Sequence, residues 1–286
     1  LLLLFSLLCN GQSPKLFTTD KELSSSLINQ IYQDRNGFIW IATEDGLNRY
    51  DGAKFTIYKH EPNNEHSLAH NFVRTVFEDS KGHLLIGTYI GIQMYDPATD
   101  NFTPLAKLED TGETLESNIN SFIERKNGEI WVSGNVLCKL DIKDHLLTVR
   151  KVDIAVTSPG SLFEDKKQNV WMAKGEEGVY QLTPDNQLTL HLSKDNGYVK
   201  SICEDQRGNI YVGSIRKGLF IYDKERKTFV PIDLKEKGEL PVCFLYSGIP
   251  NELYIGTDGK GVVIYNIRTH EISEYKFDNN YFDSGN

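Results

Sequence analysis

The amino-acid sequence predicts an all-β protein, a β-propeller built from four-stranded antiparallel blades. Three observations predict this fold: a pattern recurs six times along the 286 residues, each copy holds four short strand patterns, and no long stretch has a helical period. One large apolar residue in each copy serves as an anchor, at intervals of 40–46 residues. These anchors are Trp40, Leu85, Trp131, Trp171, Tyr211 and Tyr254.

An Asp-x-x-Gly turn joins the first two strands of a copy. Glycine supplies the positive φ that ends such a hairpin turn, and aspartate can accept hydrogen bonds from the turn's backbone. The turn is present at Asp34/Gly37, Asp79/Gly82 and Asp205/Gly208. Asn251 and Gln168 stand where two other copies would have glycine. Asparagine tolerates this conformation, whereas Gln168 is expected to be strained or to reshape its loop.

The third and fourth strands of each copy follow after short polar segments. Third strands are predicted at residues 47–50, 92–95, 219–222 and 262–265, and fourth strands at residues 54–58, 101–105, 228–232 and 271–277. A parallel β-helix needs much shorter coils, and a leucine-rich repeat has ~20–29 residues with another consensus. A propeller blade is the repeat unit that fits.

The strand positions also predict where each blade begins and ends. The six blades are predicted at about residues 27–59, 72–107, 118–151, 159–192, 197–232 and 240–277 of a propeller segment that spans residues 12–286. Residues 15–19 have the pattern of an outermost strand, but the sixth blade already has its own at residues 271–277. We therefore expect residues 15–19 to close a seventh blade formed outside this chain. A closed six-bladed ring is the alternative.

Residues 1–11 are interpreted as the remnant of a secretory signal peptide. The first nine residues are uncharged and almost wholly apolar, and the sequence becomes polar at Asn10. Nine residues are too few to span a bilayer, which needs ~20, but they fit the apolar part of a signal peptide. This segment predicts export, and a buried N-terminal strand is the alternative.

Composition excludes some partners. The chain has 31 Lys and Arg against 40 Asp and Glu, a formal net charge of −9, so it lacks the basic field that nucleic acid or anionic lipid requires. Apart from Cys9, the cysteines are Cys138, Cys203 and Cys243, an odd number without C-x-x-C spacing. This pattern favours core thiols over disulfides or a zinc site.

The residues from Gly37 to Gly52, Gly-Phe-Ile-Trp-Ile-Ala-Thr-Glu-Asp-Gly-Leu-Asn-Arg-Tyr-Asp-Gly, resemble the two-component-regulator propeller repeat. The resemblance covers residues 15–277. It implies the periplasmic sensor of a bacterial hybrid two-component histidine kinase, anchored in the inner membrane by segments outside this chain. It also implies a carbohydrate ligand and allows a homodimer of the whole sensor.

Motifs of catalysis, of cofactor binding and of metal binding are not found in the sequence. It contains no Gly-x-Ser-x-Gly, phosphate loop, dinucleotide fingerprint or His-Glu-x-x-His. The Glu-Asp pairs at 78–79, 164–165 and 204–205 recur at one turn of successive blades, which favours a structural role over acid–base catalysis. His66 and His70 have a separation of four residues but follow a polar Pro-Asn-Asn segment, so loop packing is favoured over a metal site. We predict no catalytic residue, metal or cofactor.

Ligand-binding residues are predicted where the repeat is irregular. Loops between second and third strands share one face with the connections between blades, and they hold charged and aromatic residues that differ from copy to copy. Such groups suit an oligosaccharide, since rings stack on sugars and planar polar groups bind hydroxyls. The predicted residues are Glu44, Asp45, Tyr89, Asn135, Glu176, Glu177, Arg216, Lys217, Asp258 and Lys260.

The function predicted from these observations is ligand sensing in the periplasm without catalysis. A secreted propeller enzyme, such as a polysaccharide or antibiotic lyase or a glycoside hydrolase, is the first alternative. A scaffold that binds another protein is the second.

Overall fold

The computed structural model describes residues 17–19, 22–192, 197–234 and 240–274. Every regular element in these ranges is a β-strand, so none of the described segments is a helix that could cross a membrane. The strands form six antiparallel blades in a ring. The predicted fold class, a β-propeller of four-stranded blades, is confirmed.

The strands follow one another around the ring in chain order. Blade 1 contains β1 (Ile28–Gln33), β2 (Ile39–Thr43), β3 (Gly46–Tyr50) and β4 (Phe55–Tyr58), and blade 2 contains β5 (Val73–Glu78), β6 (Leu84–Thr88), β7 (Ile92–Asp96) and β8 (Asn101–Phe102). Blade 3 contains β9 (Lys107–Leu108), β10 (Ser121–Glu124), β11 (Ile130–Ser133), β12 (Leu137–Lys143) and β13 (Leu146–Lys151). Blade 4 contains β14 (Leu162–Glu164), β15 (Val170–Lys174), β16 (Gly178–Leu182) and β17 (Leu188–Leu192). Blade 5 contains β18 (Val199–Glu204), β19 (Ile210–Ser214), β20 (Gly218–Asp223) and β21 (Thr228–Pro231), and blade 6 contains β22 (Val242–Tyr246), β23 (Glu252–Thr257), β24 (Val262–Asn266) and β25 (Ile272–Glu274).

Blade 3 has a fifth strand that the repeat does not predict. The short β9 pairs in parallel with the outer strand β13. The chain then turns back through the bonds from Leu108 N to Glu113 O and from Leu115 N to Ala106 O. The fourth strand of blade 2 is correspondingly shorter than predicted, because its regular pairing stops at Phe102.

The first strand of each blade lies nearest the central axis, since first strands of neighbouring blades contact one another. In four of them the register shifts around the second residue, which leaves that residue outside the regular pairing. A bulge of this kind bends a strand and re-aims a side chain. The four bulge residues are Asn29, Arg74, Lys200 and Cys243.

The anchor residues fill the space between blades, as their repetition predicts. Trp40 is fully buried and shares a hydrophobic cluster with residues of blade 2 such as Val76 and Ile86. The clusters around Trp131 and Trp171 likewise extend into the following blade. The anchor of blade 6, Tyr254, is only partly buried.

Each Asp-x-x-Gly turn is held by its aspartate. The Oδ1 atom of Asp34 accepts hydrogen bonds from the amides of Asn36 and Phe38, and its Oδ2 atom accepts one from Trp40 Nε1 at 2.7 Å. The predicted backbone strain is also present, because Gln168 has φ of 66°. Asn251 adopts nearly the same conformation, with φ of 62°.

The glutamate of each Glu-Asp pair joins two blades. The amide of Arg35 in blade 1 donates to Glu78 Oε2 in blade 2 at 2.8 Å. The same bond recurs between the next three pairs of blades, as Ser80–Glu124, Lys126–Glu164 and Lys166–Glu204. The structural interpretation of these pairs is thus confirmed.

Two of the three cysteines are core thiols. Cys138 and Cys203 are buried, and burial raises the pKa of these thiols to about 11 and about 12, respectively. Cys243 is only partly buried. It differs because it is the bulge residue of β22, which removes it from the alternating pattern of core positions.

The outer faces of the first and last blades expose apolar residues that other blades bury. Ile31 is 61% exposed, whereas Val76, at the same position of blade 2, is 1% exposed. On blade 6, Phe244 is 60% exposed and Tyr246 is also exposed. These two faces are those that a seventh blade would cover, and that blade remains a prediction.

The predicted closing strand at residues 15–19 lies partly outside the described residues. Residues 17–19 do not form a strand, because the carbonyl of Thr18 accepts from the amides of Glu22 and Leu23 in a turn. Phe17 packs against the rings of Tyr50 and Phe55 at centroid distances of 5.1 and 5.0 Å. A closing strand would pair with the other strands of the predicted seventh blade, which lie outside this chain. The role of residues 15–19 therefore stays a prediction.

A partly exposed ion pair at the edge of blade 3 gives a testable pH dependence. Glu129 accepts hydrogen bonds from Lys139 Nζ at 2.5 Å and Trp131 Nε1 at 3.0 Å, and the bond from Lys139 chiefly lowers the pKa of Glu129 to about 2. A lowered folded-state pKa adds stability above the unfolded-state pKa, and that stability is lost as pH falls through the folded-state pKa. We expect Glu129→Gln to lower the free energy of unfolding at neutral pH and to flatten its decline below about pH 4.5.

Urea unfolding at neutral and acidic pH would measure this effect. The matched control is Glu113→Gln, which changes an exposed side chain. Identical pH profiles for wild type and Glu129→Gln would contradict the prediction.

Candidate functional site

The ten predicted ligand-binding residues all lie in hairpins between the second and third strands of their blades. We call the face formed by these hairpins and by the connections between blades the variable face. The opposite face, formed by the Asp-x-x-Gly turns, is the turn face. Glu44 and Asp45 lie between β2 and β3, Tyr89 between β6 and β7, Asn135 between β11 and β12, Glu176 and Glu177 between β15 and β16, Arg216 and Lys217 between β19 and β20, and Asp258 and Lys260 between β23 and β24.

Backbone hydrogen bonds attach these hairpins to the segments that lead into the first strands. The amide of Tyr89 donates to the carbonyl of Phe72 at 3.0 Å. Equivalent bonds in three other blades join Glu44 to Leu27, Ile215 to Tyr198 and Asp258 to Pro241. Each hairpin is therefore held beside the segment that leads into the innermost strand of its blade.

Charged residues of the variable face form ion pairs that differ between blades. Arg216 of blade 5 and Glu176 of blade 4 form an ion pair across two blades at 3.1 Å, and both side chains are exposed. Within single blades, Glu177 pairs with Lys174 at 2.7 Å and Asp45 pairs with Lys59 at 2.6 Å.

Tyr89 presents an aromatic surface to solvent. Its ring is 54% exposed and packs against the rings of His70 and Phe72 at centroid distances of 5.6 and 6.2 Å. An exposed ring supported from behind by other rings is suited to stack on a sugar. The sequence predicted Tyr89 but not the two supporting residues.

A groove of about 650 Å³, lined by both polar and apolar residues, opens on the variable face of blade 3. Asn135 lies in its wall, and its backbone amide donates a hydrogen bond to Ser117 Oγ at 3.0 Å. The rest of the wall is formed by Leu108, residues 113–117, Val136 and Lys151. The long connection that folds back through β9 thus builds a feature that the other blades do not repeat.

The remaining predicted residues are placed by their hairpins. The amide of Lys217 donates to Ser214 Oγ at 3.3 Å, and Asp258 and Lys260 flank Gly259, which has φ of 76°. The connection at residues 235–239, which the sequence also places on this face, lies outside the described residues.

His66 and His70 have structural partners. His66 Nδ1 lies 3.2 Å from the carbonyl of Phe102, and His70 Nδ1 accepts a hydrogen bond from the amide of Phe72 at 2.9 Å. In the part of the chain that the structure describes, no three His, Cys, Asp or Glu side chains are grouped for a metal ion.

Sequence reasoning missed the polar residues at the axis. Asn29 Nδ2 donates to the carbonyl of Val73 at 2.8 Å, and Arg74 Nη1 donates to Asn120 Oδ1 at 2.9 Å. These residues lie at or near the bulges of first strands. The sequence analysis treated those positions as ordinary members of the repeat and not as candidate site residues. The sequence could have indicated them by residue type, since the second position of the first strand is Asn in one blade, Arg in another and Lys in a third.

Three segments of this chain are similar to a known repeat family. Residues 22–45, 67–89 and 193–216 match the family described as Two component regulator propeller. Each match runs through the first two strands of a blade and ends in the hairpin of the variable face. The resemblance predicted from the sequence is confirmed.

Individual relatives include signalling proteins and an enzyme. A stretch of 55 residues is 42% identical to Histidine kinase P4 of Formosa agariphila, which covers 19% of this chain and 4% of that protein. The fold is similar to the extracellular domain of the proposed hybrid two component system BT3049 from B. thetaiotaomicron, with a TM-score of 0.77 and 21% identity over 93% of this chain and 37% of that chain. It is also similar to virginiamycin B lyase from Staphylococcus aureus, with a TM-score of 0.68 and 12% identity over 90% and 88% of the two chains.

The identity and the coverage of each match limit what it shows about this chain. At 21% and 12% identity, the similar structures show the fold alone. The chain spans 37% of the BT3049 domain and 4% of the histidine kinase, so it corresponds to a part of each.

Proposed function

We propose that this propeller is a ligand-sensing domain of a hybrid two-component signalling protein and that it recognises a carbohydrate outside the cytoplasm. The family repeats and the fold shared with extracellular domains of two-component systems support the signalling role and the location. The periplasm is the compartment that also fits the apolar sequence at residues 1–9. We also propose the homodimer, the kinase and the membrane segments, which belong to the whole protein.

One observation carries the proposal: the two faces of the ring use their polar groups differently. On the turn face, the repeated Glu and Asp side chains are engaged in bonds within and between blades. On the variable face, the exposed ring of Tyr89 and the exposed Arg216–Glu176 pair differ from their counterparts in other blades. Selective binding requires groups that are both accessible and unlike those of the neighbouring blades.

The substitutions Tyr89→Ala and Arg216→Ala test this assignment. Loss of a hydrogen-bonding or stacking partner typically costs ~1–3 kcal/mol, so each change is expected to weaken binding of a selected glycan roughly 5- to 150-fold. Because both side chains are exposed, the melting temperature of the free protein should stay nearly unchanged. Thermal-shift screening of a glycan panel would select the ligand, and calorimetry would measure its affinity.

Matched controls are available on the turn face. Asn36→Ala and Lys81→Ala change exposed turn residues beside the groups that join the blades. They are preferable to Arg35 and Ser80, whose side chains bond to Glu78 and Glu124. If affinity falls for the turn-face variants and not for Tyr89→Ala or Arg216→Ala, the assignment of faces is wrong.

A lyase is the second candidate function, and the similarity to virginiamycin B lyase is the observation that favours it. Incubation of the protein with a streptogramin B antibiotic, followed by mass spectrometry, tests it directly. Cleavage of the antibiotic would establish an enzyme in place of a sensor.

A further inference from the structure

Two buried side-chain polar atoms lack hydrogen-bond partners within the described ranges, and both lie where blades 2 and 3 meet the axis. They are Arg74 Nε and Asn118 Oδ1. Buried polar groups are nearly always satisfied in folded proteins, so an unsatisfied group calls for a specific cause, such as a bound ligand. That two of them occur in one sector, on the variable face, indicates a binding site.

Arg74 is a cation without an acidic partner in the described part of the chain. Its guanidinium donates from Nη1 to Asn120 Oδ1 at 2.9 Å and lies 5.6 Å from the centroid of the Phe72 ring. Neither neighbour carries a negative charge. A guanidinium has five donors in a planar fork that matches a carboxylate, and the described contacts of Arg74 engage one of them.

Asn118 lies directly opposite Tyr89. The amide of Ser117 donates to the carbonyl of Ile90, and the amide of Ile119 donates to the carbonyl of Thr88, which pairs the two segments antiparallel. Asn118 also precedes Asn120 by two residues, and residues two apart in an extended segment share a side. An amide, a cation and an exposed aromatic ring therefore adjoin one another.

We propose that this cluster binds an acidic sugar, with Arg74 donating to the carboxylate, Asn118 Oδ1 accepting a hydrogen bond from a hydroxyl of the same sugar, and Tyr89 stacking on the ring. The arginine supplies the charge and the bidentate geometry that a carboxylate prefers. The Tyr89 ring, supported by Phe72 and His70, supplies the apolar face that a pyranose requires. The proposal rests on the proposed carbohydrate-sensing function and narrows it to uronic acids.

Two other cations of the variable face are paired with carboxylates. Arg216 pairs with Glu176, and Lys174 pairs with Glu177. Lys200 occupies the same bulge position as Arg74 in blade 5, but its side chain is exposed to solvent. Solvent weakens the attraction of an exposed charge, so the partly buried Arg74 is the stronger anion site.

The experiment uses oligosaccharides released from pectin, alginate and glucuronoxylan, each before and after chemical reduction of its carboxyl groups. Calorimetry is expected to show that at least one uronate oligosaccharide binds and that reduction weakens it at least tenfold. Arg74→Gln should cause a similar loss for the acidic form and little change for the reduced form. Arg74→Lys, which keeps the charge but loses the fork, should give an intermediate affinity.

The matched control is Arg226→Gln, which removes the same charge from an exposed arginine at the outer edge of blade 5. It should leave binding of the acidic oligosaccharide within about twofold of wild type, and melting temperatures would show that all variants fold. Equal binding of acidic and reduced forms would overturn the acidic-sugar inference while the carbohydrate function stands. Preference for sulfated over uronate oligosaccharides would also overturn it. Binding of none of these glycans would overturn the acidic-sugar inference, and the carbohydrate function would fail only if the whole glycan panel gave no ligand.

Discussion

Replacing Trp40 with alanine is expected to lower the free energy of unfolding by about 3–5 kcal/mol, the usual effect of removing a large buried aromatic side chain. Trp40 is fully buried between blades 1 and 2. Its ring stacks on Tyr58 at 5.9 Å and meets Tyr95 edge-on at 4.9 Å. The alanine variant would leave a cavity in the interface that joins two blades.

The same change also leaves a polar group without its partner. Trp40 Nε1 donates to Asp34 Oδ2 at 2.7 Å, and Asp34 is itself buried in its turn. The variant Trp40→Phe helps to divide the two effects, because it keeps an aromatic ring in the interface while it removes this donor and the five-membered ring. We expect Trp40→Phe to cost roughly 1–3 kcal/mol, the usual range for a lost hydrogen bond to a buried group.

Urea or thermal unfolding would measure both variants, with Tyr89→Ala as the control. Tyr89 is an aromatic residue of the variable face whose ring is largely exposed, so its loss should change stability by less than about 0.5 kcal/mol. If Trp40→Ala unfolds at the same urea concentration as Tyr89→Ala, Trp40 does not join the blades.

The second large effect concerns the exposed faces of blades 1 and 6. A protein of residues 12–286 is expected to self-associate, because full burial of an exposed Ile or Phe side chain contributes about 1.5–3 kcal/mol. Ile28 and Ile31 are exposed on blade 1, and Phe244 and Tyr246 are exposed on blade 6. We expect the double variant Ile31→Thr and Phe244→Thr to reduce this association strongly.

Addition of the next ~40–50 residues, the length of one blade, is expected to have the same result by covering both faces. Sedimentation velocity over a range of concentrations would measure the mass of each protein. The control is Leu146→Thr, which removes an exposed apolar side chain from the outer strand of blade 3. If residues 12–286 form a stable monomer that neither change affects, the ring closes with six blades.

The sequence predicted the fold well because a propeller repeats one blade, whose strands and turns are determined by residues near one another in the sequence. An Asp-x-x-Gly turn is stabilised by residues that are near one another in the sequence. Asp34, for example, accepts hydrogen bonds from the backbone amides of its own turn. The large residue after it faces the next blade in each copy, so burial of Trp40 and Trp131 was predictable from their repetition. Even Gln168, a departure from the pattern, adopted the strained conformation expected of it.

The candidate site was predictable in part. Tyr89 and Arg216 stood out because they interrupt a repeat, which needs no knowledge of their neighbours. Arg74 could not be predicted in the same way, since it belongs to a first strand that fits the repeat. Asn118 ends a connection between blades that the sequence places on the variable face, but nothing in the sequence singled it out from that connection. Arg74 donates to Asn120 of the next blade, and Arg74 Nε and Asn118 Oδ1 have no hydrogen-bond partner among the described residues. Only the assembled ring shows which polar groups are left unsatisfied.

The sequence by itself determined the blade, its turns, its buried anchors and the face on which the blades differ from one another. These features depend on local hydrogen bonds and on the alternation of apolar residues, which a single chain segment contains. The tertiary structure alone decided the bonds from Glu78 to Arg35, the ion pair from Arg216 to Glu176 and the exposure of Ile31 and Phe244. Those features depend on which blades are neighbours in space, because a side chain's partners and its burial are set by the residues across the interface.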